Sequence, residues 1–299
     1  MLFAIQSALD QHYDNLEVIV SDNASTDETQ EVAAKFSSNA KVSYYRNDVD
    51  IGPVENFNQA LMHYASGDFV LTLSDDDKIT DPFYIQKAIQ IIQKEPKIVL
   101  VFANYREVDL ENHSTIKVSN MGNNSWIADG KDIWINYWRG VQCPLLTTLY
   151  SRKIAMNVGG YILDTIGADA LLALNIMLHG KVVYINEVVA DYGTHSGSAT
   201  RTIRDIGTLY RDMDWIRAGG NYAIRKGLDA EQVSLWKKRL LGVLLREYVE
   251  DPCLLALRHG DAMPIKKLYE LAQSYGELEV LFDAMTSNLL RTEKNNGKI

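Results

Sequence analysis

Cysteine is scarce in this 299-residue chain: only Cys143 and Cys253 occur, far apart and in no ligand-like spacing. Neither a disulfide framework nor a thiolate zinc site is expected, and a reduced, cytoplasmic setting fits. No apolar run approaches the ~18–20 residues that a membrane span needs, and no signal-peptide pattern precedes the first helix signal. An excess of basic charge is missing too. Residues 1–200 carry 14 basic and 25 acidic side chains, so nucleic acid is not an expected partner. The remaining residues hold 16 basic and 14 acidic side chains. That mild basicity suits either a solvated helical face or a peripheral contact with an anionic membrane, including the inner face of the cell membrane. Hydrophobic content of 46% and charged content of 23% are ordinary for a globular chain with a real core.

Strand and helix signals alternate through the first two-thirds, which predicts α/β units on a mostly parallel sheet flanked by helices. Leu2, Ile5 and Leu9 form a helical stripe, and Leu16 to Val20 reads as a strand ending at Ser21-Asp22-Asn23. Ser25-Thr-Asp-Glu28 has capping-box spacing and predicts a helix through about Phe36. Further strands are expected at Val42–Tyr45, Asp68–Leu73, Ile98–Ala103, Leu145–Tyr150 and Lys181–Val189. Further helices are expected at Val54–Tyr64, Tyr84–Gln93, Gly130–Arg139 and Asp169–Leu178. Residues 109–124 read as a loop or irregular hairpin. Trp134, Tyr137 and Trp138 read as core or interface aromatics. From about Arg204 the pattern is helical only, with Leu235, Leu240, Leu241, Leu244, Leu245 and Tyr248 as its apolar stripe. The expected division is therefore 1–203 and 204–299.

Chemistry concentrates where the apolar run Phe69 to Leu73 stops in Ser74-Asp75-Asp76-Asp77. Three carboxylates at the end of a buried strand are costly unless a cation or hydrogen-bond donors compensate them. A solvated acidic turn is the plain alternative. Asp22 follows a strand directly and suits hydrogen bonds from a nucleobase or ribose; a simple turn residue would look the same. Asp169 opens a helix, where an aspartate serves equally as a first-turn anion or as a base.

Several further stretches fall in a telling order: Ser7 to Gln11 with Leu16 to Ser25, Gly52 with Asn56 and Ala60, and Ala65 to Asp68. Leu73 to Asp77, Val158 to Tyr161, Ala168-Asp169 and Tyr192 to Ser198 follow. Taken together these stretches resemble family 2 glycosyltransferases with the GT-A fold, and the resemblance covers roughly residues 2–200. It implies metal-dependent, inverting transfer of a sugar from a nucleotide-diphosphate donor, UDP-linked by expectation, to a glycan, lipid-linked glycan or protein. It implies Asp22, Asn23, Asp75 and Asp76 as donor-binding residues, and Arg201 and Arg204, just beyond the last motif, carry guanidinium groups suited to clamp the donor's phosphate oxygens. Asp77, Asp75 and His195 are implied as ligands of Mn²⁺ or Mg²⁺, and Asp169 as general base. An isolated histidine such as His195 is otherwise more often structural. The helical C-terminal region is expected to hold acceptor, membrane or a sister copy in a homo-oligomer.

The family begins with a Val/Ile-rich strand, whereas Met1 to Ile5 already matches the helix that follows it. A truncated first strand is the expectation, with a break or a covering element beside Leu16–Val20. That departure keeps open a rival, a non-catalytic glycosyltransferase-like partner subunit. A nucleotidyltransferase would need a Gly-rich basic loop near the N-terminus, and none is present. A phosphatase using Asp75 and Asp77 leaves the other motifs unexplained.

Overall fold

The structure, a computed structural model, describes residues 1–197, 213–248, 260–283 and 285. They belong to two units, Met1–Trp134 with Gly140–Thr202, and Ile135–Arg139 with Ile203–Ile299. In the first, α1 (Leu2–Leu9) leads to β1 (Val18–Asp22), α2 (Thr29–Ala34), β2 (Val42–Arg46) and α3 (Pro53–Gln59). The capping box does not form: Thr29 N–H is taken by Asp27 Oδ1, and Ser25 N–H by Asp22 Oδ1. Helix α2 therefore starts at Thr29, after the expected start. A π-helical turn, Ala60–Tyr64, extends α3, and Arg152 donates to the Leu61 and Met62 carbonyls there at 2.9 and 3.3 Å.

The chain then forms β3 (Phe69–Leu71), the two-residue β4 (Lys78–Ile79) and α4 (Tyr84–Lys94). Tyr84, Ile85, Ala88 and Ile92 bury one face of α4, as its spacing predicts. The long strand β5 (Ile98–Asp109) follows, then β6 (Ser114–Val118), β7 (Trp126–Asp129), α5 (Gly130–Asn136), β8 (Leu149–Ser151) and α6 (Arg152–Asn157). Helix α7 (Ala168–Met177) and β9 (Lys181–Thr194) complete the unit. The run from Ile98 to Ala103 is buried throughout because β5 is central, paired with β9 on one side and with β8 on the other.

Strand direction corrects the mostly parallel expectation. In the seven-stranded sheet, order β3-β8-β5-β9-β4 with β6 on β5 and β7 on β9, only β5–β9 is parallel. Strands β3, β5 and β9 share a direction, and all three fall on strands that the sequence pattern predicts. Of the antiparallel partners, β8 overlaps the expected strand Leu145–Tyr150, whose first half is a 3₁₀ turn at Leu145–Thr147, whereas β4, β6 and β7 are two to five residues long, too short for a periodicity signal. The polar segment 109–124 is the β5–β6 hairpin.

Strands β1 and β2 are parallel but form a separate two-stranded sheet. Among the described residues no ladder joins β1 to β3, so a break lies beside β1. The two strands nonetheless start together: Glu17 Oε1 accepts Ser66 N, Ser66 Oγ and Gly67 N at 2.7, 2.9 and 2.9 Å. Burial works to raise the Glu17 carboxyl, but these bonds outweigh it and hold it below the usual range.

The second unit contains α8 (Asp214–Arg225), α9 (Ala230–Tyr248) and α10 (Met263–Ser274). Its buried residues include Trp215, Ile216, Val233, Trp236, Leu240, Leu241 and Leu245. Leu235, placed in the apolar stripe by its spacing, is instead exposed. Among the described residues no helix is long and apolar enough to cross a membrane.

Candidate active site

Helix α1 shapes the approach to the acidic triplet. Ser7 Oγ accepts Ile79 N–H at 3.1 Å, while Gln11 donates to the Asp81 carbonyl and accepts from Ile85 N–H. These contacts hold the segment just after Asp77, which gives Ser7 and Gln11 a physical role. Leaving β3, the chain turns at Ser74, whose carbonyl accepts Asp77 N–H at 3.2 Å.

The three carboxylates meet different environments. Asp75 is exposed, and its carbonyl accepts the Met1 amine. Asp76 is half-buried; burial raises its carboxyl, with the Asp75 charge adding. Asp77 is buried, and its carboxyl is pushed up to about 7 by burial and by the charges of Asp76 and Asp75. The opposing contact is Gly193 N–H, which donates to Asp77 Oδ1 at 3.0 Å.

Strand β9 brings the second half of the site. Its residues Ala190 and Asp191 pair with Ile79 and Lys78 of β4. His195 follows directly, with Nε2 3.8 Å from Asp76 Oδ2. His195 Nδ1 accepts Gly197 N–H at 3.1 Å, so the neutral ring carries its proton on Nε2, facing Asp76. The position expected to bind a cation, Asp77, thus lies under the turn, and Asp76 is the triplet carboxylate that approaches the histidine. Asp191, buried in β9, is clamped by Arg106 Nε and Nη2 at 2.7 and 2.9 Å and by Lys78 Nζ at 3.1 Å. Sequence reasoning missed Arg106 and Asp191. An acidic residue inside an otherwise apolar strand run was the available signal.

Asp22 is buried at the end of β1. Its Oδ1 accepts Ser25 N–H at 2.8 Å, and Oδ2 accepts from Tyr44 Oη and Arg46 Nη1. Burial acts to raise this carboxyl, but the three partners outweigh it and hold it below the usual range. Asn23 Oδ1 accepts Ile51 N–H at 3.0 Å and Asn47 Nδ2 at 3.1 Å, and Nδ2 donates to Asp50. Both side chains therefore organise the loops at the ends of β1 and β2. Between them and Ser25 sits Ala24 with φ 60°, a left-handed conformation unusual for a residue with a side chain.

Asp169 lies in the first turn of α7. Its Oδ1 accepts the N–H of the next residue, Ala170, at 2.8 Å. Surrounding protein atoms raise the carboxyl although part of the residue reaches the surface. Its charge is felt by Cys143 and by Tyr161. The Tyr161 hydroxyl forms a triangle with Tyr150 and Thr72, with oxygens 3.2 to 3.3 Å apart, and Thr72 belongs to the segment that delivers the triplet. No hydrogen bond or ion pair is found between Asp169 and the triplet. Arg201 and Arg204 lie outside the described residues.

A divalent ion suits the donor set in part. Burial, with the neighbouring carboxylates adding, disfavours the ionised forms of Asp76 and Asp77, and a bound cation would favour them again. Among the described residues, however, no three His, Cys, Asp or Glu side chains converge. Among the described residues Asp76 and His195 are the pair that approaches, and phosphate and water oxygens suit the rest of a hard cation's shell.

The glycosyl transferase family 2 profile matches residues 1–160. An uncharacterized glycosyltransferase of Rickettsia typhi is 34% identical over 113 residues, which is 37% of this chain and 34% of that protein. The chain thus aligns with only about a third of that relative's length. Among solved structures, S. aureus TarS 1–349 in complex with UDP-GlcNAc superposes with a TM-score of 0.65 at 16% identity, covering 80% of this chain and 67% of TarS. The mannosyltransferase PcManGT of Pyrobaculum calidifontis, in complex with GDP-Man and Mn²⁺, gives 0.53 at 17%, covering 96% and 83%. These likenesses show the fold. With more than half its length matched, the chain belongs to glycosyl transferase family 2 and has the GT-A fold.

Proposed function

We propose that this chain transfers a sugar from a nucleotide-diphosphate donor, UDP-linked, to a hydroxyl of a glycan, lipid-linked glycan or protein, with a divalent cation and inversion at the anomeric carbon. The approach of His195 to Asp76 at 3.8 Å carries the proposal, because a carboxylate and an imidazole side by side suit a cation bound to a diphosphate. Asp76 and His195 would hold Mn²⁺ or Mg²⁺. For Nε2 to ligate, the His195 proton must move to Nδ1, giving up the Gly197 contact. When bound, the cation stabilises negative charge on the departing diphosphate.

Asp22 and Asn23 hold the loops that would receive the nucleoside, and exposed Asp75 is free to meet the ribose. Asp169 accepts the proton of the acceptor hydroxyl as that oxygen attacks the anomeric carbon from the side opposite the diphosphate. One displacement inverts the centre. A carboxyl raised above its ordinary range is a stronger base, and general-base assistance typically contributes ~10²–10⁴-fold.

The test is nucleotide release from a panel of UDP- and GDP-sugars, each with Mn²⁺ and with EDTA. Mn²⁺-dependent release of UDP, raised by a competent acceptor, is expected. Release that is indifferent to EDTA, or confined to GDP-sugars, would contradict the metal or donor assignment.

A further inference from the structure

We propose that Gly193 is a positioning residue for the acidic site: its backbone N–H seats Asp77, and its missing side chain lets the end of β9 rest on the acidic turn so that His195 reaches Asp76. The inference builds on the roles proposed for Asp76 and His195. A glycine inside a strand is unfavourable unless another backbone approaches closely, and here one does. A Cβ at position 193 would stand 2.1 Å from the Asp76 carbonyl oxygen and 3.0 Å from its carbon. Both are main-chain atoms and cannot rotate away. The third neighbour, Leu110 Cδ1 at 3.0 Å, is a methyl that can move.

The end of β9 has little freedom to swing aside instead. Asp191 is held by Arg106 and Lys78. The Thr194 carbonyl accepts Leu110 N–H at 2.9 Å, and Ser196 N–H donates to Glu111 Oε1 at 2.8 Å. A side chain at 193 therefore has to part the acidic turn from the strand that carries His195. Asp77 contributes through its oxygen on Gly193 N–H rather than as a ligand.

Gly193→Ala tests this by Mn²⁺ titration in the presence of UDP, read by electron paramagnetic resonance, beside UDP binding in EDTA and a thermal melt. The expected result is Mn²⁺ affinity weakened about 10-fold or more, with metal-free UDP binding retained and a cooperative melt. A purely structural glycine would lower the melt and leave Mn²⁺ affinity unchanged, which overturns the proposal.

Should Gly193→Ala not fold, Asp77 variants decide the matter. Asp77→Asn keeps an oxygen for the Gly193 N–H and should retain most Mn²⁺ affinity, whereas Asp77→Ala should lose about 10-fold or more. Equal losses in the two variants overturn the proposal, because a ligand behaves that way. Asp76→Asn serves as reference. If it leaves Mn²⁺ binding intact, the site assignment and the proposal fall together. If it abolishes binding while Gly193→Ala does not weaken it, only the positioning role falls.

Discussion

Asp22 Oδ2 and the Tyr44 hydroxyl meet at 2.5 Å across two neighbouring strands, and Arg46 donates to the same oxygen. The pair locks the end of β1 to β2 where the nucleoside would be received. Asp22→Asn should destabilise the fold by about 1.5–3 kcal/mol at pH 7, the range for a hydrogen bond to a charged group.

The sign with pH follows from the lowered folded-state carboxyl. Its stabilisation is complete above the unfolded value of ~3.9 and is lost as pH falls through the lower folded value. Melting curves of wild type and Asp22→Asn should therefore differ at neutral pH and converge below about pH 4. A constant difference down to the acid limit would show that the charge contributes nothing.

Asp169 has the opposite sign. Its raised carboxyl means that the ionised form is disfavoured in the fold, so its stability contribution falls as pH rises from the unfolded value of ~3.9 through the folded one. Asp169→Asn should melt at or above the wild-type temperature at pH 7 while transfer drops ~10²–10⁴-fold. Metal-dependent UDP binding should persist. A variant that melts lower and transfers normally would assign Asp169 to helix capping instead of catalysis.

The open side of β1 gives a third expectation. Val18 N–H donates to Lys41 O, and Asp22 O accepts Asn47 N–H. The alternation leaves Ile19 and Ser21 on the edge away from β2. Asn56 Nδ2 covers the Ser21 carbonyl at 3.0 Å, but no strand pairs with the Ile19 amide among the described residues. Hydrogen exchange at Ile19 should be much faster than at Val101 or Val183, which are paired in the centre of the larger sheet. Equal protection would mean that another element pairs with β1.

What was legible in the sequence follows from how strongly each segment is constrained. The apolar run into Asp75–Asp77 drew attention to the candidate site because three adjacent carboxylates repel one another unless compensated, although β3 itself is only half-buried, and Ile98–Ala103 marked the centre because both its faces are covered. The order of the triplet was not legible. Asp75, Asp76 and Asp77 are identical residues, and only the turn at Ser74 and the approach of Gly193 make one exposed, one half-buried and one buried. The capping box at Ser25 failed because the buried carboxylate of Asp22 captured the Ser25 N–H. The Asp191 clamp depends on Arg106, which neighbours it only through the register of β5 and β9.

The most direct measurement of the central claim is the thermal shift produced by UDP with and without Mn²⁺, in wild type and in Asp76→Asn. Ligand at ~100 times its dissociation constant stabilises by ~2.7 kcal/mol. The wild type should show a clear Mn²⁺-dependent shift with UDP, and Asp76→Asn should show none while melting normally without ligand. A full shift in Asp76→Asn, or a wild-type shift that Mn²⁺ does not alter, would contradict a cation held at Asp76 and His195.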